Sequence, residues 1–263
     1  MTRIFRIEDR GAPRHAIEEN GRWRWLEGDL FAGYEAGDEL DASGHRWLAP
    51  VVPSKIVAIG LNYKDHAAEQ QKPLPQEPMM FLKPSTAVIG PGDPIVLPEG
   101  AGRVDHEAEV GVVIGRRASH VAEDEAHAYV LGLTCVNDVT ARELQVKDIQ
   151  YTRAKSFDSF APIGPCIAVG VDYRAAAGVA VEGWVNDERR QSSSTKDLIF
   201  SIDTLIAFAS RVMTLLPGDI VSTGTPAGVG PLKAGDRVTI KVAGVGELSN
   251  PVAQGITLRG ARS

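Results

Sequence analysis

The chain has 263 residues, 43% of them hydrophobic and 24% charged, with a formal net charge of −6. That length supports a large core, in one domain or in a small domain beside a larger one. The acidic balance leaves no electrostatic footprint for nucleic acid, no apolar run approaches a membrane span, and Met1-Thr2-Arg3-Ile4-Phe5-Arg6 has no apolar signal core.

Residues 1–50 read as a small β-rich N-terminal domain. Short strand-like pieces (Arg3 to Glu8, Gly21 to Glu27, His45 to Leu48) alternate with turns. Three of the four tryptophans, Trp23, Trp25 and Trp47, fall here and are expected to pack against the main body. Pro50-Val51-Val52-Pro53 resembles a linker, so residues 51–263 form the second, main domain. It opens on the buried-strand run Lys55 to Gly60. Prolines from Leu74 to Pro98 exclude helix and leave loop or edge strands. Strands follow near 107–115, 131–137, 162–170, 179–187, 219–223 and 236–243. Short helices are expected at Glu123 to Tyr129 and Arg142 to Gln150. A longer one spans Lys196 to Met213, where Leu198, Ile202, Leu205, Ala209 and Val212 form an apolar stripe. Strands outnumber helices and do not alternate with them, which predicts a β-rich α+β domain with a rolled or sandwiched sheet. Cys135 and Cys166 lie in apolar runs without metal-ligand spacing, so buried free thiols in a reducing cytoplasm are expected, with a disulfide between them as the alternative.

The most informative residues are acidic. In Asp105-His106-Glu107-Ala108-Glu109-Val110-Gly111-Val112-Val113, strand alternation puts Glu107 and Glu109 on one face. Two carboxylates there repel unless a cation or a shared proton sits between them. Asp138 ends the next apolar run and adds a third. Three oxygen ligands with open positions suit a hard divalent cation such as Mg²⁺, although a Glu-x-Glu on a strand is otherwise a solvated face. His66 and Glu69 are three apart, so on a short helix they share a face, and the carboxylate would orient the ring as a general base for water. Lys83 and Lys155 each sit among apolar neighbours and are able to pair with the carboxylates or with an anionic substrate. Arg142 and Gln145, one turn apart, are able to face a pocket shared with Asp138. The Gly- and Thr-rich loop Ser222 to Pro231 exposes backbone N–H groups suited to a carboxylate or phosphate, or is a plain connection. There is no Gly-x-Ser-x-Gly elbow and no cysteine in an electropositive motif, which disfavours a covalent hydrolase.

From Lys55 to Pro251 these segments resemble the fumarylacetoacetate hydrolase family. The resemblance rests on Gly-Leu-Asn-Tyr-x-x-His-x-x-Glu, Phe-Leu-Lys-Pro-Ser, His-Glu-x-Glu-Val-Gly-Val-Val-Ile-Gly, Asn-Asp-Val-Thr-Ala-Arg, Ala-Lys-Ser-Phe-Asp and Thr-Gly-Thr-Pro-x-Gly-Val-Gly-Pro, in the family's order. It implies a mixed β-roll, a homodimer and bound Mg²⁺ or Mn²⁺. It implies Glu107, Glu109 and Asp138 as metal ligands, His66 and Glu69 as the water-activating dyad on a lid segment, and Lys155 as the lysine near the metal. It implies Arg142 and Gln145 as substrate-side groups and Thr225 as the residue meeting the substrate carboxylate. The expected reaction is metal-dependent C–C bond cleavage, by hydrolysis or decarboxylation, in a small 2-oxo or 2,4-dioxo acid. Isomerisation or decarboxylation of 2-hydroxyhepta-2,4-diene-1,7-dioate-type acids is the second expectation. A non-catalytic metal-stabilised binding protein is the third, and the His66–Glu69 pair counts against it.

Overall fold

A computed structural model describes residues 1–255. Its centre is the strand Ala108–Ile114, in which every residue is buried. A strand buried on both faces must be apolar almost throughout, and this one departs from that only at Glu109. It pairs antiparallel with Val130–Asn137 on one side and Ile220–Ser222 on the other. Beyond Ile220–Ser222 the sheet turns mixed, with Lys55–Gly60 running parallel and then Met79–Pro84 antiparallel. Beyond Val130–Asn137 it continues through Ala161–Val169 to Thr2–Asp9 and the N-terminal meander of Ala12–Glu19, Arg22–Asp29 and Gly33–Glu39. Residues 1–50 are thus hydrogen-bonded into the same twelve-stranded sheet as the central strands.

A five-stranded sheet, in the order Glu188–Ser194, Ala180–Val185, Arg237–Val242, Gly246–Gln254 and Ile95–Leu97, covers one face of the central strands. Alternation along Ala108–Ile114 sends Val110, Val112 and Ile114 into the core shared with Val181, Ile240, Val242 and Leu248. Val113 points the other way, into a second core with Ile56, Val136 and Ile220. Glu109 shares the parity of Val113, so it faces away from the five-stranded sheet. A small sheet of Val104–His106, Thr140–Ala141 and Gly230–Pro231 closes over the ends that carry the acidic residues. Curled mixed sheets with few helices are the β-rich α+β roll that the sequence predicts.

The longest helix differs from expectation. It spans Ile202–Val212 and buries Ile202, Leu205, Ile206 and Ala209. Lys196 to Ser201 stay outside it because their backbone groups are engaged elsewhere. Asn62 Oδ1 accepts the Phe200 N–H at 2.8 Å, and the Asn62 carbonyl accepts the Ile199 N–H at 2.8 Å. Ser201 then caps the helix, its Oγ accepting the Thr204 N–H at 3.1 Å. Glu123–Tyr129 is a 3₁₀ helix rather than an α-helix. Strands Ala12–Glu19, Glu188–Ser194 and Gly246–Gln254 go beyond the predicted set. No helix among the described residues is long and apolar enough to cross a membrane.

Candidate metal and proton-transfer site

Glu107 lies in the single-residue gap between Val104–His106 and Ala108–Ile114, and Asp138 follows the end of Val130–Asn137. Because Ala108 pairs with Asn137 across the two strands, Glu107, Glu109 and Asp138 converge. One carboxylate oxygen from each lies within 4.8 Å of the others, and all three residues are buried.

Buried carboxylates need compensation, and two of these three have it. Lys155 Nζ donates to Glu107 Oε2 at 2.7 Å and to Asp138 Oδ2 at 2.6 Å. Arg142 Nη2 donates to Glu107 Oε1 at 2.7 Å, while its Nε reaches Asp105 at 3.0 Å and its Nη1 reaches Gln145 Oε1 at 2.7 Å. Lys83, fully buried, donates to Asp138 Oδ1 and to the Val139 carbonyl. Burial pushes the Glu107 carboxyl up, but Lys155 and Arg142 overcome it and hold the group well below the carboxylate range. Burial likewise lowers Lys155, and Asp138 and Glu107 more than restore it. For Lys83 burial wins over Asp138, so its affinity for a proton falls.

Glu109 is different. It accepts only from neutral donors, Ser222 Oγ and the Gly224 N–H at 3.0 Å. Burial, then the charges of Asp138 and Glu107, push it up to about 8. Among the described residues no ammonium or guanidinium bonds to it. A divalent cation would supply the missing positive charge. The donor set is all carboxylate oxygen, the set that Mg²⁺ and Mn²⁺ prefer, so the residues fit such an ion. Gly224 is required for this contact. Its φ is +96°, and a Cβ there would lie 2.8 Å from Asn62 Cβ.

Across the same cavity lies the helix Lys64–Glu69. His66 is 4% exposed, with Nδ1 at 2.9 Å from Glu69 Oε2 and Nε2 at 2.7 Å from Gln70 Nε2. A carboxylate only accepts, so Nδ1–H donates to Glu69, and in the neutral tautomer that this fixes the lone pair lies on Nε2. Glu69 Oε1 also accepts the Gly228 N–H at 3.0 Å, which ties the helix to the loop after Ile220–Ser222.

His66, Glu107, Glu109, Asp138 and Lys155 line one cavity of about 60 Å³, with Arg142, Gln145 and Thr225 on its wall. Glu69 stands behind His66, and Lys83 stands behind Asp138. The Thr225 hydroxyl donates to the Ala108 carbonyl at 3.0 Å, so its proton is already committed. Three residues without a sequence-derived role join the site. Gln70 contacts His66, Ser222 contacts Glu109, and Asn62 bridges Thr223 and Phe200 through its Nδ2. Asn62 and Ser222 lie inside recognisable motifs, but their parts depend on contacts far away in the chain.

A buried carboxylate triad thus faces a His–Glu dyad across one cavity at the edge of a rolled sheet. The Fumarylacetoacetate (FAA) hydrolase C-terminal family description matches residues 55–253. An uncharacterized protein of Archaeoglobus fulgidus is 51% identical over 86% of this chain and 88% of its own length. The mitochondrial oxaloacetate tautomerase fahd2 of Xenopus laevis is 40% identical over 81% of this chain and 70% of its own. The crystal structure of 2-hydroxyhepta-2,4-diene-1,7-dioate isomerase from Mycobacterium marinum superposes with a TM-score of 0.88 at 38% identity, covering 97% of this chain and 99% of the other. The chain belongs to the fumarylacetoacetate hydrolase family, whose members are enzymes.

Proposed function

We propose that the chain moves a proton at the carbon next to the 2-oxo group of a small oxo acid, as a divalent-cation-dependent isomerase or tautomerase. The observation that carries this reading is the cavity itself, with the carboxylate triad on one wall and His66 on the other. Its volume of about 60 Å³ has room for only a few waters, which supports a compact substrate and movement of the Lys64–Glu69 helix to admit it. The tautomerase and isomerase relatives support the same chemistry.

Glu107, Glu109 and Asp138 would hold the Mg²⁺ or Mn²⁺. When bound, the ion supplies Lewis-acid polarisation of the oxo group. Lys155, pinned by Glu107 and Asp138, keeps positive charge where an enolate oxygen develops. His66 Nε2 takes the proton from the carbon next to the 2-oxo group and returns it to the enolate oxygen or to a carbon of the same framework, while Glu69 holds the ring and balances the charge that His66 carries in between. To act, Nε2 must exchange its Gln70 contact for the substrate. Arg142 fixes Glu107 and Gln145, and the Gln145 amide faces the substrate space.

The test is NMR of oxaloacetate and acylpyruvates in D₂O with Mg²⁺. Deuterium entry at C3 without new carbon fragments is expected, lost on chelation and reduced about 10²- to 10⁴-fold in His66→Ala. Chelator-insensitive turnover would defeat the metal reading. C–C bond cleavage, by hydrolysis or decarboxylation, is the second reading. The His66–Glu69 dyad favours hydrolysis because it would equally activate a water, and new acid fragments in the same spectra would establish it. A homodimer in the cytoplasm completes the reading. Exposed Val146 and Ile149, 79% and 85% accessible, support an interface, and the unpaired Cys135 and Cys166 support a reducing compartment. Light scattering is expected to give twice the chain mass.

A further inference from the structure

We propose that Gln191 is the positioning residue that locks the cation half of the site to the proton-transfer half. The inference rests on the metal reading above. Gln191 lies on the edge strand Glu188–Ser194, is 1% exposed, and is separated from Ala108 by 83 residues of sequence. Its carboxamide Oε1 accepts the Ala108 N–H at 2.9 Å and His106 Nδ1–H at 3.1 Å. Its Nε2 donates to Thr225 Oγ1 and to the Pro226 carbonyl, both at 2.8 Å. A carboxamide has two donors and a carbonyl oxygen with two lone pairs, and all four capacities are used. Chemistry fixes the orientation. The Ala108 N–H can only donate and the Pro226 carbonyl can only accept, so oxygen and nitrogen cannot be exchanged.

The bonds close a ring around Ala108, the residue between Glu107 and Glu109. Gln191 holds its N–H, and Thr225, itself held by Gln191, donates to its carbonyl. The peptide that aims both carboxylates is therefore clamped to the Thr225–Gly228 loop. That loop in turn holds Glu69 through the Gly228 N–H. Gln191 does not line the cavity, so it acts only through these partners. Room for it comes from Gly183, its pairing partner in the adjacent strand, where a Cβ would lie 2.8 Å from Gln191 Oε1.

The experiment compares Gln191→Met, similar in size and without the amide, with Gln191→Glu and with Asn250→Leu. Asn250 is an equivalent buried carboxamide that bridges the Gly90 and Asp93 carbonyls away from the site. It therefore controls for loss of a buried amide alone. Amide hydrogen exchange on metal-free protein is expected to accelerate at Ala108 and residues 224–228 in Gln191→Met and not in Asn250→Leu. Mn²⁺ titration is expected to show a Kd weakened about 10- to 100-fold, with kcat falling more than KM rises. Gln191→Glu keeps the acceptor for the Ala108 N–H but sets a second acceptor oxygen against the Pro226 carbonyl, so exchange is expected to accelerate at residues 224–228 more than at Ala108, and this variant carries the comparison should Gln191→Met not fold. Unchanged exchange at those amides, or Mn²⁺ affinity lost equally in Asn250→Leu, would overturn the proposal. Failure of the wild type to bind Mn²⁺ would instead defeat the metal reading, and the exchange comparison would still decide the role of Gln191.

Discussion

Glu109 holds the largest unbalanced electrostatic cost in the site, because its neighbours Glu107 and Asp138 take the available cationic side chains. The unfolded chain releases this proton near 4.5 and the folded chain near 8. Its contribution to stability in the metal-free protein is therefore fully present below about 4.5 and is lost as pH rises through about 8. Glu109→Gln removes that cost and keeps an oxygen to accept from Ser222 and Gly224. Thermal melts in chelator at pH 9 are expected to show Glu109→Gln at least as stable as wild type. Added Mg²⁺ at 100 times its Kd should raise wild-type stability by about 2.7 kcal/mol and leave the variant unmoved. A cation also competes with the Glu109 proton. Between pH 6 and 8 the Mn²⁺ Kd of the wild type should tighten by up to about 100-fold, with about one proton released per ion. Calorimetry in buffers of different ionisation heat measures that release.

At the scale of elements, Asn62 does what no propensity predicts. Its side chain and carbonyl take the backbone donors of Ile199 and Phe200, and its Nδ2 reaches the Thr223 carbonyl at 2.8 Å. One residue thus delays the start of the Ile202–Val212 helix and fixes both the entry to the Lys64–Glu69 helix and the loop carrying Gly224. Asn62→Ala keeps the carbonyl to which Ile199 donates but takes the side-chain partner from the Phe200 N–H and the Thr223 carbonyl, each at a cost of about 1–3 kcal/mol. Urea unfolding is expected to show a loss of about 3 kcal/mol, and proton transfer should weaken with it as the Lys64–Glu69 helix loosens. The same contrast explains what was legible in the sequence. Ala108–Ile114 and Val130–Asn137 are apolar because both faces are buried, so their runs announce themselves, and Glu107, Glu109 and Asp138 stand out against them. Glu188–Ser194 buries only Gln191 outright, and its polar run carries no such signal. Asn62 and Gln191 act through backbone groups distant in sequence, and periodicity has no way to reveal such contacts.

For the whole molecule, the outstanding question is whether residues 1–50 stand apart from the catalytic body. The linker-like Pro50-Val51-Val52-Pro53 and the family match beginning at residue 55 speak for separation. The hydrogen bonding speaks for unity. Thr2, Arg3 and Ile4 pair with Val169, Ala168 and Ile167, so the first strand shields an edge of Ala161–Val169. Ile4, Ile7 and Ile17 are 0–5% exposed. Phe5, Trp23 and Trp47 stack among themselves at ring-centroid distances of 4.7 to 5.5 Å and pack on the main core. Burying the three isoleucines is worth about 1.5–3 kcal/mol each, together a sum comparable with the whole stability of a typical domain, about 5–15 kcal/mol. An exposed, apolar sheet edge is also a template for aggregation. A chain beginning at residue 51 is therefore expected to aggregate or to lose its cooperative melt, as read by light scattering and circular dichroism. A cooperative melt with wild-type Mn²⁺ affinity would instead establish that the meander is dispensable and that the cation site is built wholly by the strands that follow it.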